Sequence, residues 1–177
     1  MANNTFKKTF EPALLYGGII GGVVILHSVI LYALDATFSV YAQVSGYILP
    51  FALFFLMLFL YRREYLGGIM KYSQGFGMGT LIAVVAGIIG TAYMFVFMKY
   101  IDPDFIKTVV QMQEDKMLEK GLDEAAIEQA MSFTEKFRSV GFMTISSFFG
   151  SVIMGAIFSA IACIFLKKEP KDPFAAV

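Results

Sequence analysis

Four stretches of the chain, each close to the length of a membrane-spanning helix, contain no Asp, Glu, Lys or Arg. They cover residues 13–34, 44–61, 72–98 and 142–166. A helix needs about 20 consecutive apolar residues to cross the hydrocarbon core of a bilayer. With 58% hydrophobic and 16% charged residues, the chain is also unlike an average soluble domain. The sequence therefore predicts an all-α integral membrane protein, with four transmembrane helices forming a single membrane domain.

Two of these spans call for comment. The first is too long for the apolar region of a signal peptide, and a small-residue cleavage site does not follow it, so we interpret it as a permanent span. The second is the shortest and contains Pro50, which cannot donate a backbone hydrogen bond. We expect this second span to be irregular or tilted.

The basic residues outside the spans predict an orientation. They cluster before span one, between spans two and three, and after span four: Lys7, Lys8, Arg62, Arg63, Lys71, Lys167, Lys168 and Lys171. Short loops rich in Lys and Arg stay in the cytoplasm, so both termini are predicted to be cytoplasmic. The segment 99–141, with six basic and nine acidic residues, would then lie on the opposite side of the membrane.

Segment 99–141 is predicted to form an amphipathic helical hairpin between spans three and four. Its first helix would begin with Asp102 as N-cap, Pro103 at the first helical position and Asp104 near the positive end of the helix dipole. The two aspartates could instead bind a cation. Lys120-Gly121 is typical of a helix end and Asp123-Glu124 of a second start. The apolar face of that second helix, a candidate interaction face, contains Ala126, Ala130, Phe133 and Phe137. It would pack on the protein's own bundle or on a partner.

Small residues recur at every fourth position in spans three and four. The stripes are Gly75, Gly79, Ala83, Gly87 and Thr91 in span three, and Ser147, Ser151, Gly155, Ser159 and Cys163 in span four. Small residues allow close approach of helices in a bilayer, so we expect these two spans to pack together, with the glycines of 17–22 in span one completing the contact. A pore lining or a homodimer seam are the alternatives. Span two is bulky on all sides, which favours contact with lipid or with another membrane protein.

Few residues offer chemistry inside the spans. His27 is a candidate functional polar site, because ionisable groups within a membrane are expensive to bury; the alternative is a structural hydrogen bond. Cys163 occupies a small-residue position and has no neighbouring base in the sequence. We find no catalytic motif and expect neither an enzyme activity nor a metal or cofactor site. The net charge of zero disfavours nucleic-acid binding.

Several of these segments resemble domain-of-unknown-function family 4199. The resemblance depends on Lys99-Tyr100-Ile101-Asp102-Pro103-Asp104-Phe105 at the exit of span three, on Lys120-Gly121-Leu122 with the helical stretch 124–131, and on the striped last span followed by Lys167-Lys168. It implies four spans in the bacterial inner membrane and supplies no catalytic residue. It also implies an association with a polyprenyl-dependent glycosyltransferase.

Together these features predict a non-enzymatic scaffold, anchor or accessory subunit of a larger inner-membrane assembly. Its partners would be membrane lipids and a membrane protein, with a glycosyltransferase as one candidate and a second copy of the chain as another. The alternative is a small transporter or flippase-like protein. In that case the groove between spans three and four would hold a lipid or another apolar substrate, with His27 at its polar end.

Overall fold

The described part of the chain is almost entirely helical. The computed structural model describes residues 2–135 and 139–168, with side chains described over 9–132 and 139–168. Within these ranges there are six α-helices: α1 (Ala2–Ala33), α2 (Val40–Glu64), α3 (Tyr72–Val96), α4 (Phe105–Glu119), α5 (Glu124–Glu135) and α6 (Val140–Leu166). The structure confirms the all-helical class, and it shows four helices long and apolar enough to cross a membrane: Thr9–Ala33, Val40–Glu64, Tyr72–Ile101 and Val140–Leu166.

The second of these helices is longer and more regular than the sequence suggested. It begins after Ser39, whose side-chain oxygen accepts a hydrogen bond from the N–H of Ala42 at 3.1 Å, as a helix N-cap does. It then continues through Pro50 without a break to Glu64. The expectation that Pro50 makes this span irregular is therefore wrong at the level of secondary structure.

The chain divides into two compact units, which we describe separately. The first contains residues 1–90 and 149–177, and the second contains Thr91–Phe148. In the first unit, α1, α2, α3 and α6 share one hydrophobic core. Its fully buried or nearly buried members include Tyr16, Ile20, Phe54, Leu58, Met70, Ile82, Ala83, Ala162 and Cys163. Every one of the four long helices thus contributes side chains to the same core.

The second unit contains the last turns of α3, after which the helix type changes. Residues Phe97–Ile101 form a short π-helix that continues α3. Asp102 closes it by donating its N–H to the carbonyl oxygen of Phe97 at 2.9 Å. The N-cap position of α4 is occupied by Asp104, whose side chain makes no capping hydrogen bond and instead pairs with Lys107 at 2.7 Å.

The predicted helix cap at Asp102, Pro103 and Asp104 is therefore wrong in position. α4 begins at Phe105, two residues later than a cap at Asp102 with Pro103 in the first turn would require. The π-helix accounts for the difference, because it takes up the residues before Asp102 and leaves Pro103 in the turn. Such wider turns are rare insertions in an α-helix and have no simple sequence signal.

The start of α5 agrees with the sequence. Gly121 has a φ of +74°, a conformation that costs glycine little and other residues more. The carboxylate of Asp123 then accepts a hydrogen bond from the N–H of Ala126 at 2.8 Å, which caps α5. The helices α4 and α5 are in contact with each other. Their packing as an extracytoplasmic hairpin stays a prediction.

Candidate functional site

The two predicted small-residue stripes meet in the first unit. A methyl group added at Gly75 would lie 2.6 Å from Sγ of Cys163, and one added at Gly155 would lie 2.5 Å from Cβ of Ala83. Between these pairs, a methyl group at Gly79 would collide with Cβ and Oγ of Ser159. α3 and α6 therefore approach in antiparallel fashion, with these three small residues of α3 set against three small residues of α6.

The stripes do not meet along their whole length. Gly87 of α3 is buried and Thr91 is half-buried, whereas Ser147 and Ser151 of α6 are exposed. Direct pairing is thus seen at the end of the helices that contains Gly75 and Cys163. The buried hydroxyl of Ser159 donates to the carbonyl oxygen of Gly155 at 2.7 Å, so it is satisfied within its own helix.

α2 covers the strip where α3 and α6 meet. Leu58 is completely buried, and its Cδ1 lies 3.4 Å from the position a methyl group would take at Gly79. The ring of Phe54 lies 2.9 Å from the corresponding position at Gly155 and packs on Phe158 with 6.2 Å between ring centroids. The expectation that α2 is left to lipid or a partner is wrong for this face. Its bulk fills the space that the small residues leave.

The glycines of 17–22 in α1 form two pairs with a spacing of four residues, Gly17 with Gly21 and Gly18 with Gly22. One of these pairs packs in the same core. A methyl group at Gly17 would lie 2.6 Å from Cβ of Val85, and one at Gly21 would lie 3.0 Å from Cβ of Ile89. Gly18 and Gly22, one residue further on, have open space around them. α1 therefore packs against α3 through Gly17 and Gly21.

Sequence reasoning missed a polar clasp at the end of this unit, which we define as Tyr16, Arg62, Glu64, Met70 and Lys168. The hydroxyl of Tyr16 donates to Oε2 of Glu64 at 2.9 Å. Met70 and Lys168 exchange two backbone hydrogen bonds of 3.1 and 2.9 Å. These contacts join α1 to the end of α2, and the loop before α3 to the end of α6. They connect residues far apart in the chain, for which no local sequence pattern exists.

Arg62 is the central cation of the polar clasp. Its Nη1 donates to the carbonyl oxygen of Leu166, the last residue of α6, at 2.9 Å. Its guanidinium carbon also lies 5.2 Å from the ring centroid of Phe59, within the range of a cation–π contact. A cation at the end of a helix offsets the partial negative charge of the free carbonyls there. Arg62 thus binds the end of α6 to α2.

His27 remains without an assigned partner in the part of the chain that the structure describes. It is half-buried, and a hydroxyl from span four is not seen to contact it. Within residues 2–135 and 139–168, no group of three His, Cys, Asp or Glu side chains lies close enough to hold a metal ion. The structure therefore offers His27 neither a coordination site nor a hydrogen-bonded relay among these residues.

In the described part of α5, the buried face is shifted by about one residue from the predicted interaction face. The buried side chain is Ile127, with Ala130 and Met131 half-buried, whereas Ala126 is exposed. Phe137 and the side chain of Phe133 lie outside the described residues. So do Lys171 and the side chains of Lys7 and Lys8. The inner face of the described part of α5 is thus centred on Ile127, which is not among the residues predicted for the interaction face.

The chain was compared with known families, curated proteins and solved structures. A family model described as "Protein of unknown function (DUF4199)" matches residues 15–168, which is well over half of the chain. No curated protein and no solved structure matches it. The matched region includes nearly all of the core of the first unit, the polar clasp and the whole of the second unit.

Proposed function

This chain belongs to the DUF4199 family of proteins of unknown function, and we propose that it is a non-enzymatic scaffold, anchor or accessory subunit of an assembly in the bacterial inner membrane. It has four apolar helices of membrane-spanning length. The proposal includes cytoplasmic termini and an extracytoplasmic position for the segment that contains α4 and α5.

The observation that carries this proposal is the filled strip between α3 and α6. A carrier or flippase would need a path along the small residues for its substrate. Instead, Gly75 and Gly79 lie against Cys163 and Ser159, and Leu58 of α2 packs next to Gly79. Close contact of this kind holds helices together in a bilayer. The strip therefore supports a structural role and gives no support to the transporter alternative.

The segment with α4 and α5 is the part best placed to contact a partner. Its polar surface is acidic, with nine acidic residues among 99–141, so attraction to anionic lipids is unfavourable. At the turn between the helices, the apolar side chains of Leu118 and Leu122 are exposed. These two leucines are the proposed contact with a partner protein. A polyprenyl-dependent glycosyltransferase is the first candidate, as the family resemblance implies, and a second copy of the chain is another.

Photo-crosslinking in native membranes tests this function. A photoreactive amino acid placed at Leu118 or Leu122 should join the chain to one protein of defined mass in high yield. The matched control position is Ile157, an exposed apolar residue of α6, which is expected to face lipid and to give no such product. Mass spectrometry of the product identifies the partner, and a product of twice the chain's mass identifies a second copy.

Failure to form any intermolecular product at Leu118 and Leu122 would contradict a partner at this surface.

Reconstitution in liposomes tests the transporter alternative. Purified protein in liposomes should not accelerate the transbilayer movement of fluorescent lipids, and His27→Ala should change nothing. Lipid movement that depends on the protein and is lost in His27→Ala would support the transporter alternative instead.

A further inference from the structure

Basic side chains from three segments converge at the clasp end of the first unit. We call Arg62, Arg63, Lys71, Lys167 and Lys168 the basic cluster. They come from the end of α2, the start of α3 and the end of α6. The paired backbone hydrogen bonds between Met70 and Lys168 hold the last two segments together. Residues distant in sequence thus become neighbours.

The same hydrogen bonds bring two further lysines close to each other. Lys71 follows Met70 and Lys167 precedes Lys168, so each lies one residue from the paired backbone. Like charges held near each other repel. Both lysines are exposed, and neither forms an ion pair with a carboxylate of the described residues.

Two carboxylates adjoin the cluster in sequence, Glu64 and Glu169. Glu64 accepts a hydrogen bond from Tyr16, and Glu169 lies outside the described residues. Arg62 is engaged with Leu166 and Phe59, and its buried Nε–H has no acceptor among the described residues. In the described part of the chain the cluster therefore combines five cations with one carboxylate, and an external anion would offset this excess of positive charge.

Apolar surface beside the cluster indicates what kind of anion fits. Phe165, two residues before Lys167, is 72% exposed, and Ile164 and Ile69 are also exposed. Tyr61, Tyr65 and Tyr72 lie around the same helix ends, as aromatic residues do at a membrane interface. A ligand with a phosphate for the lysines and hydrocarbon chains for Phe165 satisfies both surfaces. Free phosphate satisfies only the first.

We infer that the basic cluster is a binding site for the phosphate of an anionic phospholipid, with Lys71, Lys167 and Lys168 contacting the headgroup and the acyl chains lying along Phe165. Arg62 is a positioning residue, because it holds the end of α6 beside α2. The site does not depend on the proposed scaffold role, since it would form in a carrier equally well.

Native mass spectrometry of the full-length chain in mild detergent tests this site. Phosphatidylglycerol should remain bound where phosphatidylcholine is released. The double variant Lys71→Gln/Lys167→Gln should reduce phosphatidylglycerol retention about thirtyfold, given the usual contribution of about 1 kcal/mol for each basic residue near an anionic membrane. The matched control is Lys116→Gln/Lys120→Gln, which removes two exposed lysines around the end of α4 and should leave retention unchanged.

Two further measurements identify the source of the phosphate and the cause of the effect. Glycerol 3-phosphate should not compete with phosphatidylglycerol; competition at equal concentration would overturn the lipid assignment in favour of a soluble phosphate. Lys71→Glu should raise the unfolding temperature in detergent without anionic lipid, because it replaces one of the clustered positive charges by a negative one. Equal retention of phosphatidylglycerol by wild type and by Lys71→Gln/Lys167→Gln, both folded in phosphatidylcholine, would refute the site.

Discussion

Gly77 and Gly79 lie two residues apart on α3, and only Gly79 faces another helix. Gly79 is set against Ser159 of α6, while open space surrounds Gly77. The four-residue spacing of small residues was visible in the sequence and singled out Gly79. The long-range contacts were not visible: Arg62 binds a carbonyl 104 residues away, and Tyr16 reaches Glu64 across 48. Such pairings depend on how the helices pack, which no local spacing specifies.

We therefore expect Gly79→Ala and Gly77→Ala to differ in sign. Gly79→Ala should lower the free energy of unfolding by about 1–3 kcal/mol, since the new methyl group must displace Ser159. Gly77→Ala should be neutral or raise it by about 0.5–1 kcal/mol, because alanine is the better helix former. Thermal unfolding in one detergent measures both variants. Equal midpoints would show that α3 and α6 do not approach closely at this position.

α2 shows why an element can be located from sequence and yet be assigned to the wrong surroundings. Residues 51–60 are bulky on every side, so the pattern has no apolar stripe that would mark an inner face. In this part of α2 the structure buries Phe54, Met57, Leu58 and Tyr61, at helical spacings of three and four. That choice is made by the small residues of α3 and α6, which leave room for large side chains from a third helix. The element's position was predictable, but its packing partner was not.

Leu58 and Leu56 allow a matched test of this packing. Leu58 is fully buried and Leu56 is 46% exposed on the same helix. Leu58→Ala should destabilise the protein by about 2 kcal/mol, the low end for buried leucine truncation, because lipid and leucine are equally apolar and only packing is lost. Leu56→Ala should cost little. Comparable losses, measured by chemical unfolding in mixed micelles, would mean that both leucines lie against lipid.

At the scale of the whole molecule, the charge pattern of the sequence and the fold of the first unit agree. Basic residues that are scattered along the sequence at 62, 63, 71, 167 and 168 come together at the end where α2 and α6 finish and α3 begins. The positive-inside rule uses only their sequence positions. The polar clasp adds the hydrogen bonds that hold the ends of α2 and α6 and the start of α3 together. The four long apolar helices were predictable from the uncharged stretches of the sequence. The clasp became visible only in the structure.

Cysteine labelling tests the orientation. In a Cys163→Ala background, which removes the one native cysteine, cysteine is introduced at the exposed positions Ser73 and Gln113. A membrane-impermeant maleimide added to spheroplasts should label Gln113→Cys at once and Ser73→Cys only after lysis. The reverse pattern would place the basic cluster outside the cell. Labelling of both positions before lysis would contradict an odd number of spans between them.

The pairing of Gly79 with Ser159 also fixes the order in which this contact is made during synthesis. Ser159 is synthesised about 80 residues after Gly79, which at about 5–20 residues per second takes roughly 4–16 s. During that interval α3 has left the ribosome without the helix that covers its glycines, and the clasp residue Lys168 does not yet exist. Until α6 arrives, only α1 and α2 are available within the chain to pack against this part of α3. Slow codons between α3 and α6 would lengthen the vulnerable period, and those beyond α6 would not.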